Sequence, residues 1–151
     1  MDAIDVRILE CLAQNAREKA TAISKEVSLS VSAVIERIHK MEESGIIQGY
    51  SLLLGQKQLG NGISAWMEVS LENPRFCGAF EARVREMENI VTCHYLTGNS
   101  DFMLYVVTRS SDTLEAIHAR IRGMEGVAST KTHFVLRTVK ENTCLLPEAD
   151  E

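Results

Sequence analysis

No stretch of this chain approaches the roughly 18 consecutive apolar residues that a membrane helix needs, so no element is expected to cross a bilayer. Met1 is followed by acidic Asp2 and Asp5 rather than a basic leader, and a soluble, cytoplasmic product without a membrane partner is expected. An excess of positive charge is also missing: 16 Lys and Arg stand against 21 Asp and Glu, for a net charge of -5. That excludes a global field drawing the molecule onto nucleic acid, so any DNA binding must come from a local patch. The four cysteines, Cys11, Cys77, Cys93 and Cys144, form no C-x-x-C pair, which removes zinc ribbons and redox motifs. Free, buried thiols are expected instead. Cys93 and His94 are adjacent, but neighbours in a strand point to opposite faces, so no metal is expected there. There is no P-loop, no G-x-G-x-x-G and no H-E-x-x-H. The histidines, His39, His94, His118 and His133, share no local motif with a nucleophile, so the chain is not expected to be an enzyme. What is present is 45% apolar and 25% charged residues in 151, enough apolar surface to order one domain or two small ones.

Over residues 2–16, Ile4, Ile8, Cys11 and Leu12 recur at helical spacing, with Asp2 as a cap and Asp5 in the first turn. Residues 21–27 predict a second, short helix capped by Thr21, with Ile23 and Val27 facing inward. After the turn Ser28-Leu29-Ser30, Ser30 caps a third helix whose Val31, Val34, Ile38 and Met41 form the inner stripe up to a stop at Gly45. Three short helices with a tight turn between the second and third outline a helix-turn-helix unit. On the third helix's outer face Ser32, Ala33, Glu36, Arg37 and Lys40 lie together. Small residues near the start allow close approach to base edges, and long cationic ones further on reach bases or phosphates. Together with Ser30 these are the candidate DNA-contacting residues. The same charges would equally solvate a surface helix, with Arg37 and Lys40 pairing with Glu36 or Glu43.

After Gly45, residues 46–54 look extended, and a polar loop follows at 56–62. From Ile63, strict alternation puts Ala65, Met67 and Val69 on one face and Ser64, Glu68 and Ser70 on the other, with Trp66 breaking the polar side. Asn73-Pro74 opens a helix with Phe76, Phe80, Val84 and Met87 inward. Residues 90–97 and 102–108 predict a hairpin that is apolar on both faces, Asp112 and Glu115 a capping-box start to another helix, and residues 127–136 a last strand. The order strand, helix, strand, strand, helix, strand is that of a ferredoxin-like sandwich. The fold class is therefore α+β, a winged-type helix-turn-helix followed by a ferredoxin-like βαββαβ sandwich. The expected division is 1–50 for DNA binding, 51–62 as linker, 63–140 as the ferredoxin-like oligomerisation domain, and 141–151 as a tail that is acidic and mobile at its end. With helices on one sheet face only, the greasy second face calls for a second subunit, and paired reading units would address two half-sites roughly 34 Å apart.

Several short motifs together resemble the Lrp/AsnC, or feast/famine, family of regulators across nearly the whole chain. They are Asp5 with Ile8-Leu9, Asn15-Ala16-Arg17, Leu29-Ser30, Glu36-Arg37 with Met41-Glu42, Gly45-Ile46-Ile47, Gly49-Tyr50, and the run from Leu96 to Phe102 containing Gly98 and Asp101. The resemblance implies a transcriptional regulator that binds double-stranded DNA as a homodimer or as an octamer of four dimers and senses a free amino acid, with no cofactor besides that effector. It also implies that the effector lies between subunits beside Thr97, Gly98, Asn99, Ser100 and Asp101, whose backbone amides can hold a carboxylate. Asp101 would hold the α-ammonium or brace the loop. Thr130 and Thr132 are further candidates, approaching from a neighbouring subunit. Taken without the resemblance, the loop reads as an ordinary hairpin turn and the threonines as strand packing. The chain departs from the family at Val31, where proline is common, and at Asn99 and Ser100, where acidic and bulky residues are common. A DNA-organising oligomer without an effector, and an amino-acid-binding module without DNA contact, are the competing readings.

Overall fold

The computed structural model describes residues 1–141 and 145–146. They gather into two compact units, Met1–Leu53 with the described residues from Lys140 onward, and Leu54–Val139. Cys144 and the acidic end of the tail lie outside the described residues.

The first unit is built from α1 (Ala3–Gln14), α2 (Ala20–Glu26) and α3 (Val31–Glu43) around buried Ile8, Ile23, Val34 and Met41. Each helix turns apolar residues to this one centre, which is what makes such short helices persist, although Val31, expected on the inner stripe of α3, is 37% exposed at its first turn. A full capping box starts α1: the Asp2 side chain accepts from the Asp5 N–H, and the Asp5 side chain accepts from the Asp2 N–H. The helix stops at Gln14, two residues earlier than its spacing suggests, because Asn15 is extended. Ser30 caps α3 by accepting from the Ala33 N–H at 3.2 Å. Thr21 does not cap α2. A turn at residues 15–18 delivers the chain to Lys19, whose carbonyl accepts from Ala22 and Ile23, so Thr21 falls inside the first turn. Ser28, between α2 and α3, has φ 54°, a left-handed conformation that costs a side-chain-bearing residue roughly 1–2 kcal/mol.

Residues 44–62 contain no strand. The stretch expected to extend at 46–54 pairs with no strand among the described residues, its Ile47 N–H donating instead to the Met41 carbonyl at 3.0 Å, so the helical unit has no wing among them. Leu52 and Leu53 stand exposed.

The second unit comprises β1 (Ile63–Leu71), α4 (Cys77–Arg85, led in by a 3-10 turn at Pro74–Phe76), β2 (Ile90–Tyr95), β3 (Phe102–Thr108), α5 (Ser111–Arg122) and β4 (Val127–Phe134). The strands form one antiparallel sheet in the order β2-β3-β1-β4, the ferredoxin-like arrangement. Met67, Val69, Phe102, Leu104 and Val106 meet Phe80, Val84, Ile117 and Ile121 of the helices in a buried core. Asn73 caps the 3-10 turn with its side chain. Ser110, not Asp112, caps α5 by accepting from the Thr113 N–H, which leaves Asp112 in the first turn where its charge suits the helix dipole. Strand β2 ends at Tyr95, and one further cross-hairpin bond, from the Leu96 N–H to the Asp101 carbonyl at 2.8 Å, closes the loop.

The opposite sheet face is formed by Trp66, Glu68, Met103, Tyr105, His94 and His133, read from the cross-strand pairs Trp66 with Tyr105 and with His133, and His94 with Met103. The Trp66 and Tyr105 rings lie 4.8 Å apart at their centroids. No helix of this unit covers that face. The three described thiols are free, but the expectation that they are buried fails for them: Cys11 and Cys77 sit half-buried at the rims of the two cores, and Cys93 is exposed on edge strand β2. Cys93 pairs with Leu104 and His94 with Met103, so the two occupy opposite faces.

Candidate DNA-reading and effector sites

On α3 the six sequence-predicted residues divide by environment. Ser30 is occupied as the cap and shares a hydrogen bond with the Ser32 hydroxyl at 3.1 Å. Ser32, Glu36 and Lys40 are exposed, whereas Ala33 and Arg37 are half-buried. Lys40 Nζ pairs with Glu36 Oε1 at 2.8 Å, one turn apart, and this pairing holds the Glu36 carboxyl below its usual range. Arg37 leaves its own helix: Nη1 donates to Asp2 Oδ2 and to Asp5 Oδ1, each at 2.7 Å. It thereby fastens the start of α1 to α3. Ala33, Glu36, Arg37 and Lys40 border a surface recess of about 560 Å³ with Asp5 and Ser44. Spacing on one helix could not have disclosed the Arg37 pairs, because they join residues 35 and 32 positions apart.

The Asp2 carboxyl is held below its ordinary value first by the Asp5 backbone N–H and then by Arg37. A carboxyl lowered on folding adds stability that is complete above its unfolded pKa, about 4, and that fades as pH falls through the lowered value. Arg37→Met is therefore expected to lower the melting temperature of the helical unit at pH 7 and to narrow the difference between pH 7 and pH 3. Thermal melts followed by circular dichroism at the two pH values measure both effects. An unchanged pH difference would mean that the pair contributes nothing to stability.

In the second unit, residues 97–101 form one loop between β2 and β3, anchored on the end of β1. The Asp101 N–H donates to the Val69 carbonyl at 3.0 Å, and Asp101 Oδ2 accepts from the Leu71 N–H at 2.7 Å. The Ser70 hydroxyl donates to the Asn99 carbonyl at 3.3 Å, and the Ser100 hydroxyl to Glu68 Oε2 at 2.9 Å. Gly98 stands exposed at the tip with φ 122°, a conformation that favours glycine, and Thr97 is exposed beside it. Of the two roles open to Asp101, the brace is the one its contacts display.

Thr130 and Thr132 are set apart from that loop. They pair with Val69 and Met67, whose side chains enter the core, so both threonines belong to the helix-covered face. Thr130 Oγ1 hydrogen-bonds His118 Nε2 of α5 at 2.9 Å, and Thr132 is exposed.

The sequence reading overlooked Glu68, which sits at the centre of the open-face network. Its Oε1 pairs with His133 Nε2 at 2.7 Å while its Oε2 takes the Ser100 hydroxyl, and these two contacts hold its carboxyl below the usual range. Its place on the polar side of β1 was the available signal. Among the described residues, no group of three or more His, Cys, Asp or Glu side chains is placed to hold a metal ion, and no helix is long and apolar enough to cross a membrane.

A helix-turn-helix joined to a ferredoxin-like unit is the architecture of a two-part DNA-binding regulator. Residues 1–42 match the AsnC-type helix-turn-helix domain, and residues 64–145 match the Lrp/AsnC ligand binding domain. The chain belongs to the Lrp/AsnC family and is a DNA-binding transcriptional regulator. It is 31% identical to the Bkd operon transcriptional regulator of Pseudomonas aeruginosa over 92% of this chain and 93% of that one. A transcriptional regulator of Neisseria meningitidis, solved in complex with L-methionine, is similar over 96% of each chain with 28% identity and a TM-score of 0.91. The feast or famine regulatory protein of M. tuberculosis, also complexed with L-methionine, is similar over 97% of this chain and 99% of that one, with 28% identity and a TM-score of 0.88.

Proposed function

We propose that this regulator reads an operator through the outer face of α3, binds a free amino acid at the loop 97–101, and does so as a homodimer joined through the open sheet face. The anchoring of that loop on β1 by Asp101 carries the reading. It fixes the backbone around Gly98, so exposed amides can meet a carboxylate without first paying the entropy of ordering. Asp101 commits Oδ2 to the brace, which leaves Oδ1 for an α-ammonium. On the open face, Trp66, Met103 and Tyr105 offer an aromatic and sulfur-rich centre for a second copy. Thr130 and Thr132 contribute from a neighbouring subunit only where β4 borders the loop of another copy. Ser30, Ala33 and Arg37 shape α3 for its groove, while Ser32, Glu36 and Lys40 face the duplex.

Thermal-shift measurements against the common free amino acids, with column sizing of every hit, test the proposal. Methionine is the first to try, because two similar regulators were solved with it. An amino acid at about 100 times its dissociation constant should add roughly 2.7 kcal/mol of stability. No shift with any amino acid would leave a DNA-organising oligomer as the better description. A monomer at all concentrations would remove the shared-face arrangement.

A further inference from the structure

Once the ion pairs are counted, the surface that α3 presents is less cationic than its sequence. Arg37 is turned back onto Asp2 and Asp5, and Lys40 is held by Glu36. Beside these pairs, in the second turn of the helix, an apolar side chain faces outward: Ile35 is 45% exposed. It lies three residues after Ser32 and four before His39, both exposed, so the three form one stripe along the helix. Isoleucine is among the residue types most often buried, and no residue of the helical core claims this one.

Resting on the DNA-reading role of α3, we propose that Ile35 is a specificity-determining residue that packs against the C5-methyl group of a thymine in the major groove. That methyl is the one apolar group a major groove presents, and an aliphatic side chain on a groove-entering helix is the complementary surface. Ser32, one turn earlier, places a hydroxyl where either a donor or an acceptor on an adjacent base edge can be met. Arg37 has no part in base reading. Reaching a base would cost it two charge-assisted hydrogen bonds and would release the first turn of α1 from α3.

The test uses the full chain. Operators are selected from a pool of randomised duplexes, and dissociation constants are then measured at fixed salt with each thymine of the selected operator replaced singly by deoxyuridine, which deletes only the methyl. The wild type should lose about fourfold at one thymine in each half-site, the worth of one buried methyl-sized group. Ile35→Ala should bind the thymine and uracil operators equally, while Ile35→Val should keep part of the preference. Both variants change an exposed position, and a melt confirms that they fold. A wild type indifferent to uracil at every position, or an Ile35→Ala variant with undiminished thymine preference, overturns the assignment while the DNA-reading role stands. Failure to enrich any duplex removes the DNA-reading role, and the assignment with it.

Discussion

Gly126→Ala is expected to destabilise the α+β unit by about 3 kcal/mol, a loss on the order of 10 °C in melting temperature. Gly126 has φ 84°, which already strains any residue bearing a Cβ, and a Cβ at this position would overlap the Phe76 ring and its Cβ. Phe76 cannot step aside freely. It closes the 3-10 turn before α4, and the Arg75 guanidinium lies 4.7 Å above its ring. The Gly126 carbonyl also accepts the Glu72 N–H at 2.8 Å, so a shift of the backbone would break the joint between the end of β1 and the start of β4. Gly98→Ala separates strain from collision: its φ is 122°, but a Cβ there meets no atom within 4 Å, so the cost is that of strain alone, about 1–2 kcal/mol. Comparable losses for the two variants would show that the clash with Phe76 is relieved by relaxation.

The second large effect concerns the response to the amino acid. Asp101→Ala is expected to abolish the ligand-induced thermal shift and to lower the stability of the free protein, because the Leu71 N–H loses its acceptor and the loop its anchor. Asp101→Asn keeps an acceptor for that N–H and should retain most of the stability, yet weaken amino-acid binding about tenfold, since a neutral amide holds an ammonium less well than a carboxylate does. Titration calorimetry on both variants separates the roles. If the asparagine variant binds as the wild type does, Asp101 acts only through the brace.

Both expectations depend on contacts whose legibility in the sequence varied. Periodicity gave each helix, and the alternation in β1 gave the burial of Ala65, Met67 and Val69, because these patterns record one face against one core. Caps were legible where one side chain had no rival, as at Asp2, Ser30 and Asn73. They were misread at Thr21 and Asp112, where the turn leading into the helix decides which residue comes first. The apparent strand at 46–54 has the composition of a strand, but a strand needs a partner, and no local pattern states whether one exists. The face of β4 that Thr130 and Thr132 occupy is fixed by register with β1 across more than 50 residues, which no local pattern states. The bonds of Arg37 to α1 and the position of Glu68 between Ser100 and His133 likewise arise from tertiary proximity alone.

Trp66 is the single tryptophan of the chain, and it lies on the sheet surface that no helix of its own unit covers, 37% exposed and against Tyr105. Each copy therefore carries a built-in optical reporter at the seam proposed to join copies. Dilution that separates them should redden its emission without a dye or an engineered label.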